Sequence, residues 1–318
     1  MEIIDLRHFT SADLRPLLEE EKEVWSNLLL WDYGPSADMI LRYVDARILP
    51  GYAAVERGLL HGYSFFVYEG NKGVIGDLFV TGEKSRAHAE NPTEVRLVTH
   101  VVETLQQSPG VRRIEAQLLV HESSALARPF QEEGFQRFPR LFMALPLKNG
   151  AGFPAAPDVL PPEIEIRRWS DQDYQSAASL ITACYRGHVD SDINDQYRSI
   201  QGALRFLNNI VRFPGCGTFD AGASFLAFDR RSRTPIGLIL CSRVKHDVGH
   251  VTQLCVLADY RGQHVGRMLL AATSRELRRR SFQLLSLTVT EANRRAVELY
   301  KHIGFSVGRV FDAFVWEA

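Results

Sequence analysis

GHVTQLCVLADYRGQHVG, from Gly249 to Gly266, is the stretch whose reading decides the fold. Its first part is an apolar run with β-branched residues that suits a strand, and RGQHVG (Arg261 to Gly266) then leads into a helical pattern through Val265, Leu269 and Ala272. A glycine-bearing loop that feeds a helix start leaves several backbone N–H groups unpaired and pointing the same way, which makes an anion seat. The next stretch, LLSLTVTEANRRAVELYKHIGF (Leu284 to Phe305), alternates as a strand, breaks at polar residues and resumes as a helix. Ala296, Tyr300 and Ile303 share one face of that helix, and Gly304 stops it.

On these residues the segment resembles the GNAT N-acetyltransferases, which move an acetyl group from acetyl-coenzyme A to an amine. The family's pyrophosphate loop, Q/R-x-x-G-x-G/A, is answered here by Arg261, Gly262, Gln263, His264, Val265 and Gly266, followed by Arg267, with His264 standing where the family usually has glycine. A second family motif, an Asn and then an apolar helix carrying LY and ending in GF, is matched by Asn293, Leu299, Tyr300, Gly304 and Phe305. Either motif alone is weak; the two in order, separated by a helix and a strand, are specific.

At 318 residues the chain suggests two domains, since single hydrophobic cores usually stop growing near roughly 250 residues. A composition of 45% hydrophobic and 24% charged residues with a formal net charge of −1 argues for neither nucleic acid nor membrane as a partner. Apolar runs such as Ser64 to Val67 and Gly237 to Cys241 fall far short of the roughly 20 residues a bilayer span needs. MEIIDLRHF lacks a basic n-region and an apolar h-region, so the expected location is cytoplasmic. Cys184, Cys216, Cys241 and Cys255 show no metal-ligand spacing and read as reduced, mostly buried thiols; no metal is expected.

The chain also repeats itself. IDLRHFTSADL (Ile4 to Leu14) matches IEIRRWSDQDY (Ile164 to Tyr174) position by position, aligning Arg7 with Arg167 and Asp13 with Asp173. ALARPFQEEGF (Ala125 to Phe135) matches RAVELYKHIGF (Arg295 to Phe305), aligning Phe130 with Tyr300 and Gly134 with Gly304. With the resemblance, this implies an α/β (α+β) protein of two tandem GNAT-like domains, each a mixed, mostly antiparallel sheet flanked by helices. Residues 1–148 form the first, 149–163 a Gly/Pro/Ala-rich linker, and 164–318 the catalytic domain. Strands are expected at His61–Gly70, Gly73–Gly82, Arg112–Val120 and Arg140–Leu147, with a helix over Val95–Gln106. The first copy lacks the loop glycines, having EKSRAHAENPTE (Glu83 to Glu94) instead, and has Phe130 where the second has Tyr300. It is therefore expected to be structural, walling the substrate cleft.

The resemblance also distributes roles. Acetyl-coenzyme A is the implied co-substrate, with freed backbone N–H groups at Leu254, Cys255 and Val256 meeting the thioester and the loop from Arg261 to Arg267 holding the pyrophosphate. Asn293 suits a helix cap and, in the family, a coenzyme A contact. Tyr300 reads either as a core aromatic or as the acid that protonates the leaving thiol. His250 reads either as the base or as a structural histidine. Asp190, Asp192 and Asp195, within RGHVDSDINDQYR (Arg186 to Arg198), either cap helices or hold a cationic amine. The expected acceptor is a primary amine of a small molecule. The alternatives are a protein N-terminus or lysine, a larger acyl group, or a non-catalytic coenzyme A-binding scaffold.

Overall fold

The computed structural model describes residues 1–82, 92–147, 161–212 and 217–318. In chain order the elements are β1 (Glu2–Asp5), α1 (Ser11–Leu29), α2 (Gly34–Asp45), β2 (Gly51–Glu56), β3 (Leu59–Glu69), β4 (Lys72–Val80), α3 (Pro92–Gln107), β5 (Arg113–Gln117), α4 (Ala127–Glu132) and β6 (Gln136–Pro146). There follow β7 (Ile164–Arg168), α5 (Tyr174–Cys184), α6 (Asp190–Ile193), α7 (Ile200–Arg212), β8 (Thr218–Phe219), β9 (Phe225–Asp229), β10 (Pro235–Lys245), β11 (Val248–Val256), α8 (Val265–Arg279), β12 (Leu284–Thr290), α9 (Arg294–Ile303) and β13 (Ser306–Glu317).

The sequence repeat is a repeat of local chemistry. Thr10 and Asp13 form a capping box at the start of α1, and Ser170 and Asp173 form the same box before α5. At the far end, Phe135 N–H reaches Phe130 O and Phe305 N–H reaches Tyr300 O, both at 3.0 Å. Gly134 (φ 82°) and Gly304 (φ 108°) make those turns in the left-handed region that side chains disfavour.

The chain folds as two compact units, Met1–Arg140 with Arg309–Ala318, and Leu141–Gly308. Each half expected from the sequence thus gives up most of its last strand. In the first unit the strand order is β1-β2-β3-β4-β5-β13, antiparallel except for the parallel pair β4–β5. In the second it is β6-β12-β11-β10-β9-β7, with β11–β12 parallel and β8 beside β10.

Side chains explain why β13 belongs where it does. Phe314 stacks on Phe130 at 4.1 Å within the first core, an aromatic pair worth roughly 0.5–1.5 kcal/mol beyond its buried area. Asp312 accepts from Ser123 Oγ (2.9 Å) and from Ser124 N–H (2.7 Å). In the second unit Leu147 N–H donates to Gln283 O at 2.8 Å, and the Phe142 ring stacks on His250. Lys148 and most of the expected linker (149–160), most of Glu83–Glu94 (83–91) and Cys216 lie outside the described residues.

Candidate active site

The site is built where β11 and β12 part. Leu257 N–H donates to Ile236 O at 2.9 Å, and the register Leu238↔Cys255 and Leu240↔Gln253 keeps alternate β11 residues bonded to β10. By that alternation the backbone amides of Leu254 and Val256 point the other way, toward β12. Yet the β11–β12 register runs only from Val248↔Leu284 to Val251↔Leu287. The separation begins at Thr252, the extra residue of a bulge between Leu240↔Gln253 and Cys241↔Val251. Past it, Leu254 and Val256 offer peptide groups to the gap, and Val256 O already accepts from Arg261 Nε at 3.1 Å. Cys255 alternates to the opposite role, bonding to β10, and its thiol packs with Cys184. The contact with Cys184 and then burial push that thiol well above its ordinary pKa.

The loop from Arg261 to Gly266 enters α8 in the conformation a glycine-rich loop would adopt. Gly262 has φ 87°, and His264, the N-cap of α8, has φ 63° with no side-chain capping bond. His264 therefore keeps the left-handed backbone that favours glycine and carries the strain of a Cβ there. The first amides of α8, from Val265 to Arg267, face out of the helix start. Arg261 is committed to the scaffold, since its guanidinium also donates to Cys184 O at 3.0 Å. Gln263 Nε2 donates to Asp259 O at 2.9 Å. Beside Gly262 lies a cation that sequence reading did not single out: Arg295 NH2 is 3.8 Å from where a Cβ on Gly262 would sit.

One face of the gap gathers side chains from distant parts of the unit. Tyr300, from α9, is buried against Phe305 at 5.8 Å, and its hydroxyl has no hydrogen-bond partner among the described residues. Burial, and then the charge of Asp190, push the phenol above its ordinary pKa, so it keeps its proton. Asp190 accepts from Thr290 Oγ1 at the end of β12. His188 Nδ1 faces Asp190, 3.1 Å from its amide and 3.5 Å from Oδ2, while His188 Nε2 is 3.2 Å from Asn293 Nδ2. Asn293 also caps α9 through Ala296 N–H, the first of its two expected roles. Tyr185 packs edge-on to His188, stacks on Tyr197 and donates to Gln253 Oε1 at 3.2 Å.

His250 is not part of this group. It sits in the closed stretch of the parallel pair, opposite Ser286, with Nδ1 2.9 Å from Ser286 Oγ and its ring on Phe142. Four residues of strand, about 13 Å, separate it from Leu254. His250 is thus packed between strands, the second of the two readings its sequence position offers. His188 and Asp190 lie instead beside Asn293 and the end of β12. Asp192 and Asp195 stay outside it, Asp192 pairing with Arg198.

The first unit shows the same gap filled from within. Leu78 is the counterpart of Leu254, and its N–H is taken by Asp77 Oδ1 (2.8 Å) and its carbonyl by His121 Nε2 (2.8 Å). Burial pushes His121 down to about 4, so it stays neutral. Asp77 is itself held by Tyr33, and Glu21 by Tyr63 and Trp25. Phe130, the counterpart of Tyr300, is fully buried.

Residues 190–305 match the family model described as Acetyltransferase (GNAT) family. Among curated proteins no sequence match is found. Among solved structures, a GCN5-related N-acetyltransferase from Sphaerobacter thermophilus is similar over 99% of this chain and 95% of its own, at 16% identity and a TM-score of 0.68. A tandem GNAT protein from the clavulanic acid biosynthesis pathway matches over 99% and 98%, at 14% identity and a TM-score of 0.61. A fungal glucosamine N-acetyltransferase region matches over 99% of this chain and 38% of its own, at 13% identity and a TM-score of 0.62. At these identities the likeness is one of fold: a tandem GNAT arrangement over nearly the whole chain.

Proposed function

We propose that this chain, a GNAT acyltransferase by its second domain, moves the acetyl group of acetyl-coenzyme A onto a primary amine of a small molecule. The observation that carries the reading is the parting of β11 and β12 at Thr252, which turns the amides of Leu254 and Val256 toward a gap bordered by Tyr300. The residues present fit the co-substrate. A left-handed Gly262, the outward amides of Val265 to Arg267 and the Arg295 guanidinium suit a pyrophosphate, and the strand-edge peptides of Leu254 and Val256 suit a peptide-like pantetheine arm. Acetyl-coenzyme A brings the activated thioester.

The chain's own groups then have separate tasks. Leu254 N–H donates to the acyl oxygen as it gains charge, a kind of stabilisation that preorganised donors supply without rearrangement. His188, with Nδ1–H turned to Asp190 Oδ2, takes the proton from the incoming ammonium at Nε2 in place of its contact with the Asn293 amide, so that a neutral nitrogen attacks. As the C–N bond forms and the C–S bond breaks, the Tyr300 phenol donates to the departing sulfur, and the second proton shed by the acylated nitrogen restores the phenol. Asp190 adds a negative charge on the acceptor side, which favours a cationic amine. The first unit, with Leu78 satisfied by Asp77 and His121, serves as scaffold and binds no second cofactor.

Calorimetric titration of acetyl-coenzyme A into the intact chain tests this, beside a variant with Gly262 and Gly266 both replaced by valine. One site per chain, lost in the variant, supports the reading and leads to thiol-release assays over primary amines. No binding to the unaltered chain overturns it.

A further inference from the structure

The site holds one buried polar group that the reaction outlined above does not use. Gln253 lies on β11 directly before Leu254 and is 5% exposed. Its Oε1 accepts from the Tyr185 hydroxyl, and its Nε2 has no hydrogen-bond partner among the described residues. A buried amide donor left unpaired is unfavourable by about 1–3 kcal/mol, so folding alone gives no reason to keep it. Nor is its orientation loose. Tyr185 holds the amide in place through that hydrogen bond, its own ring clamped between Tyr197, 4.4 Å away, and His188, 5.2 Å away. The group sits among the reacting side chains, since Tyr185 feels the charges of Asp190, Cys255 and Tyr300 once burial has raised its own phenol.

We infer that Gln253 is a specificity-determining residue whose Nε2 donates to an oxygen on the acceptor. This rests on the acetyl-transfer reading and narrows its substrate. The acceptor is an amine that also carries a hydroxyl, carbonyl or carboxylate oxygen near the reacting nitrogen. The nitrogen lies toward His188 and Asp190, and the oxygen toward Gln253. A site built to hydrogen-bond a substrate oxygen rejects analogues that lack it more strongly than an apolar pocket rejects a missing methylene, because the site's own polar group is then left unpaired.

The test compares matched primary amines at saturating acetyl-coenzyme A, reading thiol release: glycinamide against propylamine, and glucosamine against cyclohexylamine. The intact chain is set beside Gln253→Met, which keeps the length and shape of the side chain, and Tyr185→Phe, which frees the amide to turn. The intact chain should favour the oxygen-bearing member of at least one pair by about tenfold or more in kcat/KM. Gln253→Met should bring that ratio close to one while leaving the hydrocarbon member and the Kd of acetyl-coenzyme A unchanged, and Tyr185→Phe should fall between. Because Gln253→Met also takes the acceptor from the Tyr185 hydroxyl, the readout is the ratio and not the melting temperature: a purely structural role would slow both members alike. An unchanged ratio in Gln253→Met overturns the inference. So does binding of acetyl-coenzyme A without turnover of either oxygen-bearing amine, which leaves the cofactor reading intact. Absence of acetyl-coenzyme A binding overturns the underlying reading instead.

Discussion

Replacing Tyr300 by phenylalanine separates chemistry from fold, because the first unit already contains that substitution at Phe130. The ring keeps its burial and its contact with Phe305. The hydroxyl has no partner among the described residues, so its loss should shift the melting temperature by no more than a degree or two. Removing a general acid slows a reaction by about 10²–10⁴-fold. The lower end applies, because a thiol of ordinary pKa about 8.5 leaves well with a hydrogen bond and incomplete proton transfer. A fall in kcat of about 10²-fold, or about 2.7 kcal/mol, is expected with the Kd of acetyl-coenzyme A unchanged. Thiol release and calorimetry on the same preparation decide it. Since burial and Asp190 raise the phenol, its folded pKa lies above its unfolded value of about 10. The stability it contributes is complete below that value and is lost as pH rises further, so Tyr300→Phe should resist alkaline unfolding better than the intact chain. A kcat within twofold of the intact chain, or a Kd that rises in step with the loss, would refute the role.

Four further outcomes follow from the same geometry. His188→Gln should lower kcat/KM by at least tenfold, whereas His250→Asn should lower the melting temperature and leave kcat near its original value; the reverse pattern would return the base to His250. His264→Gly should raise stability by about 1 kcal/mol in thermal unfolding, as it relieves a left-handed φ of 63°, without weakening acetyl-coenzyme A binding. Arg295→Ala should raise the Kd for acetyl-coenzyme A severalfold, more at low salt than at high, if its guanidinium meets the pyrophosphate. In the first unit, burial and then Asp77 raise Glu21, and burial raises Asp77. Stability from this protonated pair is complete below the ordinary carboxylate range and is lost as pH rises through the raised values. Glu21→Gln should therefore flatten the fall in stability as pH rises above the ordinary carboxylate range in denaturant titrations; an unchanged slope would refute the raised Glu21.

Sequence reading reached the parts of the site whose chemistry is local. The strand, loop and helix from Gly249 onward, the Asn293 cap and the Gly304 stop are each dictated by residues within a turn or two of one another. The departure at His264 was visible too, but only the backbone shows that it leaves the loop's conformation intact. What escaped depends on residues far apart in the chain. His188 meets Asn293, and Asp190 meets Thr290, only because α6 folds over the end of β12. Arg295 read as one helix residue among several until its guanidinium came to lie beside Gly262. His250 fell at a plausible spacing, yet spacing does not reveal that the strands have not parted at that point. Strand β2, GYAAVE, was missed because small residues give little alternation. Its Gly51 lies so close to β3 that a Cβ would fall 2.3 Å from Ser64 O. The exchanged last strands were also illegible, since an alternating strand carries the same pattern whichever sheet edge receives it.

That exchange sets a schedule for synthesis. The first unit ends its own run at Arg140 but is completed by Arg309–Ala318. At about 5–20 residues per second, the ribosome needs roughly 8–35 s to deliver the missing strand. Throughout that interval the edge of β5 is unpaired and Phe130 lacks the ring of Phe314. An amino-terminal half can therefore begin to fold as it emerges but cannot finish, and its hydrophobic edge is open to chaperones or to neighbouring nascent chains. A gene split within the region joining the halves should give two insoluble products that recover solubility only when made together.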